Sequence, residues 1–389
     1  MRYDLDCIID RRHSDSIKWR QYDPDVLPLW VADMDFVAPQ PVLDALHARV
    51  EHGIFGYTSP RLIPDLYEAV QARLQALYGW QVAVEEILFL PGVVVGFNLA
   101  CHAVGGPGDE VLMQPPVYYP FLSAPGNAGQ HAVYAQVQLA DTRYVVDFDC
   151  FERAITPRTR LFILCNPHNP IGRVYAADEL ARMAEICLRH GLLICSDEIH
   201  CDLVYAPYRH VPVASLAPEI AQHTITLMAP SKTFNIPALD CSFAVVQNPE
   251  LRKRFLAAMA GLVSGVNVLG LVAAAAAYRE GGEWLEQVLA YLQTNYRFVR
   301  QFVAEHMPGM RVIDLEGTYL AWLDCRHTPI ADRPARFFLE RARVGLNEGA
   351  NFGPGGEGFC RLNFACPRAT LSEALERMKR AYWAVKRPE

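Results

Sequence analysis

Short apolar runs recur through the middle of this chain, each bounded by proline, glycine or polar residues and separated by stretches with helical spacing. Ile87-Leu88-Phe89-Leu90 predicts a buried strand, as do Glu110 to Gln114, Val133 to Leu139, Leu161 to Cys165, Leu192 to Cys195 and Thr224 to Met228. Pro64 to Tyr78 carries Leu66, Val70, Leu74 and Leu77 at helical spacing, and Asp178 to His190 reads as an amphipathic helix. This strand-helix-strand rhythm predicts an α/β fold around a mostly parallel, doubly wound sheet. The pattern differs at both ends. Residues 1–47 mix charge with Pro28, Pro39 and Pro41 and show no long period, which predicts an extended arm ending in a helix from about Pro41 to Gly53. Beyond Glu283 a long helix to His306 is followed by strands at Arg311 to Asp314 and Thr318 to Asp324, a helix from Pro334 to Ala342, and the run Phe359 to Phe364. The expected division is a large domain over 48–285 and a smaller α+β domain made of 286–389 with the arm 1–47.

Composition narrows the class. A chain of 389 residues, 51% hydrophobic and 20% charged, has the make-up of an ordinary globular protein and the length for two domains. With a formal net charge of -7 and no Lys/Arg cluster, it lacks the footprint that nucleic acid requires. The 11 cysteines sit singly in apolar runs such as Leu164-Cys165 and Ile194-Cys195, which predicts reduced, buried thiols and a cytoplasmic protein. Met1 to Asp6 carries no apolar signal segment. Gly261 to Tyr278 is the most apolar long stretch, but Ser264, Asn267 and its glycines make it a packed helix at a domain or subunit contact rather than a membrane span. No metal site is expected.

Three of the apolar runs end in residues with chemistry. Thr224 to Met228 leads into Ala229-Pro230-Ser231-Lys232-Thr233-Phe234-Asn235. A lysine just past a buried strand sits where desolvation lowers its pKa and makes it a nucleophilic amine. Leu161 to Cys165 leads into Asn166-Pro167-His168-Asn169-Pro170, and Leu192 to Cys195 into Ser196-Asp197-Glu198-Ile199-His200. An amide, a carboxylate and a lysine at the carboxyl ends of buried strands suit a cofactor lying across the top of a sheet. Ile87 to Leu90 runs into Pro91-Gly92-Val93-Val94-Val95-Gly96-Phe97-Asn98, a glycine-bracketed turn opening a helix. Free N–H groups and the helix dipole there favour a phosphate; a plain strand-to-helix turn looks the same, and the lysine downstream tips the balance. Pro115 to Pro120 presents Tyr118 and Tyr119, which can offer a face for a flat ring or simply pack.

In this order and at this spacing, the three motifs resemble those of fold-type I pyridoxal-phosphate enzymes, the aspartate aminotransferase superfamily (class I/II). Ile9-Asp10-Arg11-Arg12-His13-Ser14-Asp15-Ser16, Lys18-Trp19 and Trp30-Val31-Ala32-Asp33-Met34-Asp35-Phe36 narrow the resemblance to the carbon–sulfur lyase branch. That branch comprises the cystathionine β-lyases of the MalY/PatB and cystalysin type, and the resemblance runs nearly end to end. It implies a fold-type I architecture, pyridoxal 5'-phosphate as cofactor, and β-elimination of L-cystathionine or other cysteine S-conjugates. The products implied are a thiol (homocysteine from cystathionine), pyruvate and ammonia. The resemblance makes Lys232 the catalytic amine that also binds the cofactor, and Asp197 the carboxylate that keeps the pyridine nitrogen protonated. Asn169 matches the donor to the phenolic oxygen, Tyr118 the residue stacked on the ring, and Val93 and Val94 the backbone donors to the phosphate, with Ser231 and His200 also beside the cofactor. Arg361, in Arg361-Leu362-Asn363-Phe364, takes the place of the arginine that clamps the substrate carboxylate, while Tyr119 and Ala32 fall at the substrate site and Arg368 is the competing arginine. Tyr57 takes the place of a tyrosine that reaches the phosphate from a neighbouring subunit, so the resemblance implies a homodimer with shared sites.

The chain departs from the wider superfamily in places. Many aminotransferases have a tyrosine three residues after the aspartate and an arginine eight after the lysine, where this chain has His200 and Asp240. The lyase branch lacks that arginine too. Ala229 stands where a serine is common, which leaves Ser231 as the expected hydroxyl donor. Two further readings stay open on the sequence alone: a class I/II aminotransferase, and a pyridoxal-phosphate-binding regulatory protein. The second is disfavoured by the lack of a helix-turn-helix before residue 40.

Overall fold

The computed structural model describes residues 1–386. Its centre is a seven-stranded sheet of β1 (Ile87–Leu90), β2 (Glu110–Met113), β3 (His131–Tyr134), β4 (Thr159–Cys165), β5 (Leu193–Asp197), β6 (Thr224–Met228) and β7 (Ser242–Val245). The spatial order is β1-β7-β6-β5-β4-β2-β3. All neighbours pair in parallel except those of β7, which runs antiparallel to both β1 and β6. Strands β2, β6 and β7 are buried along their whole length, as expected of strands covered on both faces. The sheet is therefore mostly parallel, as the strand rhythm predicts.

Helices cover it. Pro64–Tyr78 starts with proline in its first turn, buries Leu66, Val70 and Leu74, and stops at Gly79, whose φ of 64° is left-handed. Leu77, at the same spacing, is instead exposed, because the apolar stripe slips off the core at the last turn. The helix α1 (Val93–Val104) follows β1 directly and lies tight against the sheet. A Cβ on its Gly96 would come within 2.7 Å of Leu227 Cδ2, so any larger residue there would have to displace that leucine.

Beyond the sheet, α2 (Val268–Glu280) meets the long α3 (Gly282–His306) at Gly281. A second sheet in the order β8-β9-β11-β10 is built from β8 (Arg311–Val312), β9 (Leu320–Asp324), β10 (Asn347–Glu348) and β11 (Phe359–Asn363). Leu29, Met34 and Phe36 of the N-terminal arm share one apolar core with Phe234, Trp284 and Leu362. The arm thus packs where the lysine segment, α3 and the second sheet meet.

Some sequence expectations are corrected. Val133 to Leu139 is not one strand: β3 ends at Tyr134, and Gln138–Ala140 pairs with Arg143–Val145 in a separate hairpin. The apolar stretch from Gly261 is helical only from Val268, where Asn267 accepts from Gly270 N and caps α2. Pro334 to Ala342 is an α turn, Pro334–Phe337, widened into a π turn over Phe338–Ala342. Nine cysteines are buried as expected, but Cys7 is exposed and Cys150 half-buried. Among the described residues, no helix is long and apolar enough to cross a membrane.

Candidate active site

Because β4, β5 and β6 are parallel neighbours, the loops leaving their carboxyl ends converge. Asn169 lies on the loop after β4, Asp197 ends β5, and Lys232 lies on the short helix Pro230–Thr233 just after β6. The β1–α1 turn opens on the same cavity, of about 430 Å³. Ala32, Val93, Val94, Tyr118, Asn169, Asp197, His200, Ser231 and Lys232 all line it. The structure therefore brings together most of the residues singled out from the sequence.

The remaining three lie elsewhere. Arg361, on β11, stands behind Asn169, whose Oδ1 accepts from Arg361 Nη1 at 2.9 Å. Tyr119 is half-exposed, its ring 5.0 Å from that of Tyr118. Tyr57 is fully exposed and does not reach this cavity from its own chain. Asp240, the departure noted above, also lines the cavity, with a left-handed φ of 48° that Asp tolerates better than most residues.

The electrostatics follow from burial. Removal from water pushes the Asp197 carboxyl up to about 7, against the pull of the Ile199 N–H and the Lys232 charge. Its Oδ1 accepts from Ile199 N at 3.1 Å, and Oδ2 has no hydrogen-bond partner among the described residues. Burial likewise brings the Lys232 amine down to about 8; Asp33 and Asp197 resist that shift and Arg361 adds to it. His200 falls to about 3 for the same first reason, helped by the charges of Lys232 and Arg361, so it is neutral at pH 7, and its buried Nδ1 has no partner among the described residues. Arg361 makes further bonds to Trp30 O and Asn347 Oδ1, at 2.9 and 2.6 Å, but none to a carboxylate among the described residues. Burial brings it down to about 10, which still leaves it cationic.

Several residues that hold this site, among them Tyr319, Asn235 and Asn363, were given no role from the sequence. Lys232 Nζ donates to Ala32 O at 2.7 Å, and Tyr319 OH donates to the same oxygen at 2.8 Å. The strap around Ala32 is tied down by Asn235, which bonds Met34 N, Met34 O and Phe36 O. Asn363 bonds Val31 O and Asp33 O. The fully buried Lys18 pairs with Asp35 at 2.8 Å, and Arg11 with Asp33 and Asp35 at 2.8 and 2.7 Å. The charged residues in Asp10-Arg11-Arg12, Ile17-Lys18-Trp19 and Asp33-Met34-Asp35 were the available signal. Nothing local pairs them across the chain.

These features fit pyridoxal phosphate. The first amides of α1 have no partners within the helix and can cradle a phosphate. Tyr118 offers an aromatic face, Asn169 Nδ2 is without a partner among the described residues, and Asp197 is a buried acceptor lacking a cation. A protonated pyridine nitrogen is the donor that such a carboxylate favours.

Comparison with known proteins agrees. The family model for aminotransferase class I and II matches residues 24–378. Cystathionine beta-lyase PatB of Bacillus subtilis is 39% identical over 96% of this chain and 98% of its own. The crystal structure of cystalysin from Treponema denticola, which contains pyridoxal 5'-phosphate, superposes with a TM-score of 0.95 at 32% identity over 99% of this chain and all of its own. That of OvoB does so with a TM-score of 0.92 at 44% identity, over 98% of this chain and 99% of its own. The chain belongs to the class I and II aminotransferase family, with the fold-type I architecture of the pyridoxal-phosphate enzymes.

Proposed function

We propose that this protein is a pyridoxal-phosphate-dependent carbon–sulfur β-lyase that cleaves cystathionine or other S-substituted cysteines. The carrying observation is that one cavity gathers Lys232, Asp197 and Asn169 in a chain 39% identical, nearly end to end, to a protein named cystathionine beta-lyase. In the overall reaction R–S–CH2–CH(NH3⁺)–COO⁻ takes up water and gives RSH, pyruvate and ammonium. Bound pyridoxal phosphate supplies an electron sink for the charge left when the substrate loses its Cα proton.

The chain's own residues supply the rest. The amides of Val93 and Val94, with the Ser231 hydroxyl, would hold the phosphate, and Tyr118 would cover the ring. Asp197 would accept the pyridine N–H and keep it protonated, and Asn169 would donate to the phenolic oxygen. Arg361, a buried guanidinium with no carboxylate partner among the described residues, would orient the substrate's carboxylate in two parallel hydrogen bonds by exchanging the Trp30 or Asn347 oxygen on Nη2 for it. Lys232, brought down to about 8 by burial, is partly neutral near neutral pH, and its Nζ would take the Cα proton as general base. With the proton gone, the thiolate on Cβ departs.

The organisation follows the same reading. Residues 48–285 would form the cofactor-binding domain, and 1–47 with 286–389 the smaller domain that carries Arg361. Pairing with a second copy is supported by exposed apolar residues clustered along Val50, Ile54, Phe55, Tyr57 and Leu62. A cytoplasmic location is consistent with free cysteines throughout.

A transaminase is the second reading, favoured by the family description itself. Supplied with cystathionine and no keto acid, the lyase releases pyruvate and thiol in equal amounts over many turnovers. A transaminase stops after about one turnover per site, since nothing restores its cofactor, and resumes when a keto acid is added. That second outcome would replace the lyase reading.

A further inference from the structure

We infer that Tyr319 is a positioning residue for Lys232, acting through the Ala32 carbonyl that both side chains share. The inference rests on the proposed role of Lys232 as the base. Tyr319 OH and Lys232 Nζ donate to one oxygen, at 2.8 and 2.7 Å. A carbonyl has two lone pairs, so these two donors fill it, and where the tyrosine holds the oxygen decides where the amine rests.

A buried tyrosine ordinarily needs some acceptor, and a chance partner would suffice for that. The backbone before Tyr319 argues for more. Thr318 has a φ of 72°, an outlier for a β-branched residue. It is held there from every side. Its N–H donates to Leu203 O at 2.7 Å, its carbonyl accepts from Tyr205 OH at 2.7 Å, and its Oγ1 accepts from Leu320 N at 3.2 Å. Strain of this kind persists where the surroundings over-determine it, and here it sets the start of β9 so that Tyr319 faces Ala32.

The carbonyl is clamped from the opposite side as well. Asn363 Nδ2 bonds the carbonyls on either side of it, Val31 O and Asp33 O, both at 2.7 Å, and Lys18 Nζ reaches Asp33 O at 3.2 Å. Of three successive carbonyls, only that of Ala32 turns to the lysine. Removing the tyrosine hydroxyl frees it to tilt, and the lysine amine then lacks a fixed direction toward the substrate Cα.

The test is Tyr319→Phe in the holoenzyme and in cofactor-free protein. With an S-substituted cysteine, kcat falls about tenfold or more while KM stays within about twofold, as expected when a base is misaimed rather than a substrate lost. The kinetic isotope effect with Cα-deuterated substrate rises, because proton transfer becomes the slower step. In cofactor-free protein, acylation of Lys232 is followed against pH by peptide mass spectrometry. Its midpoint, near 8 in the parent chain, shifts because the Ala32 carbonyl that accepts from the ammonium is no longer shared with the tyrosine or held in place. Should Tyr319→Phe fail to fold, Thr318→Gly, which loses the Oγ1 tie to Leu320 N and frees φ to vary, loosens Tyr319 and gives the same changes at smaller size. A folded variant whose isotope effect and labelling midpoint both stay at parental values overturns the inference, whatever its kcat. Lys232→Ala separates this failure from the broader one. Turnover there within a few fold of the parent sinks the base assignment itself, whereas its loss beside a parental Tyr319→Phe sinks only the role of Tyr319.

Discussion

Asp197 shows how a single buried group ties chemistry to stability. In the cofactor-free protein burial holds its carboxyl at about 7, whereas an unfolded chain gives up that proton near ~3.9. Between those values the native state binds more protons than the unfolded one, so this group makes stability fall as pH rises through that window. Asp197→Asn removes the ionisation while keeping the shape. Denaturant unfolding of cofactor-free protein from pH 4.5 to 7.5 should show the variant overtaking the parent as pH rises, by on the order of a few kcal/mol at the upper end. Parallel curves would mean the carboxylate is satisfied by something other than the cofactor. The residue was legible in the sequence because it ends an apolar strand, in order and spacing with the Asn169 and Lys232 motifs, where the family resemblance places such a carboxylate. Tyr319 was not, since its only telling contact is with a carbonyl 287 positions away. Lys18 and Asp33 stood out in the amino-terminal motifs, but their pairing was hidden for the same reason, since no local pattern brings the two together.

At the scale of elements, legibility followed burial. Strands covered on both faces declare themselves as unbroken apolar runs, so β4, β5 and β6 could be placed to within a residue or two. The strand β7 reads poorly because Ser242–Val245 is short and follows the lysine loop with only the turn Pro237–Leu239 between. It is also the strand that breaks the parallel pattern, and it bears on the site by pairing with β6 and β1 at once. Close approach is another property that spacing does not reveal. On α2 a Cβ at Gly270 would lie 2.2 Å from Leu239 O, a backbone atom that cannot rotate away. Gly270→Ala must therefore push α2 off the segment that carries Asp240 and Cys241 along the cavity wall. We expect a loss of about 1–3 kcal/mol in unfolding free energy, of the size seen for overpacking. Denaturant titration checks it, and an unchanged midpoint would mean that α2 is looser against Leu239 than its geometry states.

For the whole molecule the open question is whether one chain makes a complete site. Tyr57, 110% exposed, stands in a segment whose apolar side chains Ile54 and Phe55 also face outward, at 65% and 56%. Leaving so many large apolar groups in one stretch in water is costly unless another surface covers them. In the proposed dimer that surface is the second copy, and Tyr57 reaches the neighbour's phosphate site rather than its own. This arrangement makes complementation possible. Tyr57→Phe protein keeps its own Lys232, and Lys232→Ala protein keeps its own Tyr57; mixed dimers would then hold one site with both parental residues and one with neither. Mixing the two under conditions of subunit exchange should raise activity above the sum of the separate variants, while the apolar packing of Phe at position 57 keeps the contact surface intact. Exchange is verified independently by mass-tagged subunits. If subunits exchange and no activity is gained, Tyr57 does not act across the interface, and the phosphate is held by the residues of one chain, with the amides of Val93 and Val94 carrying its charge.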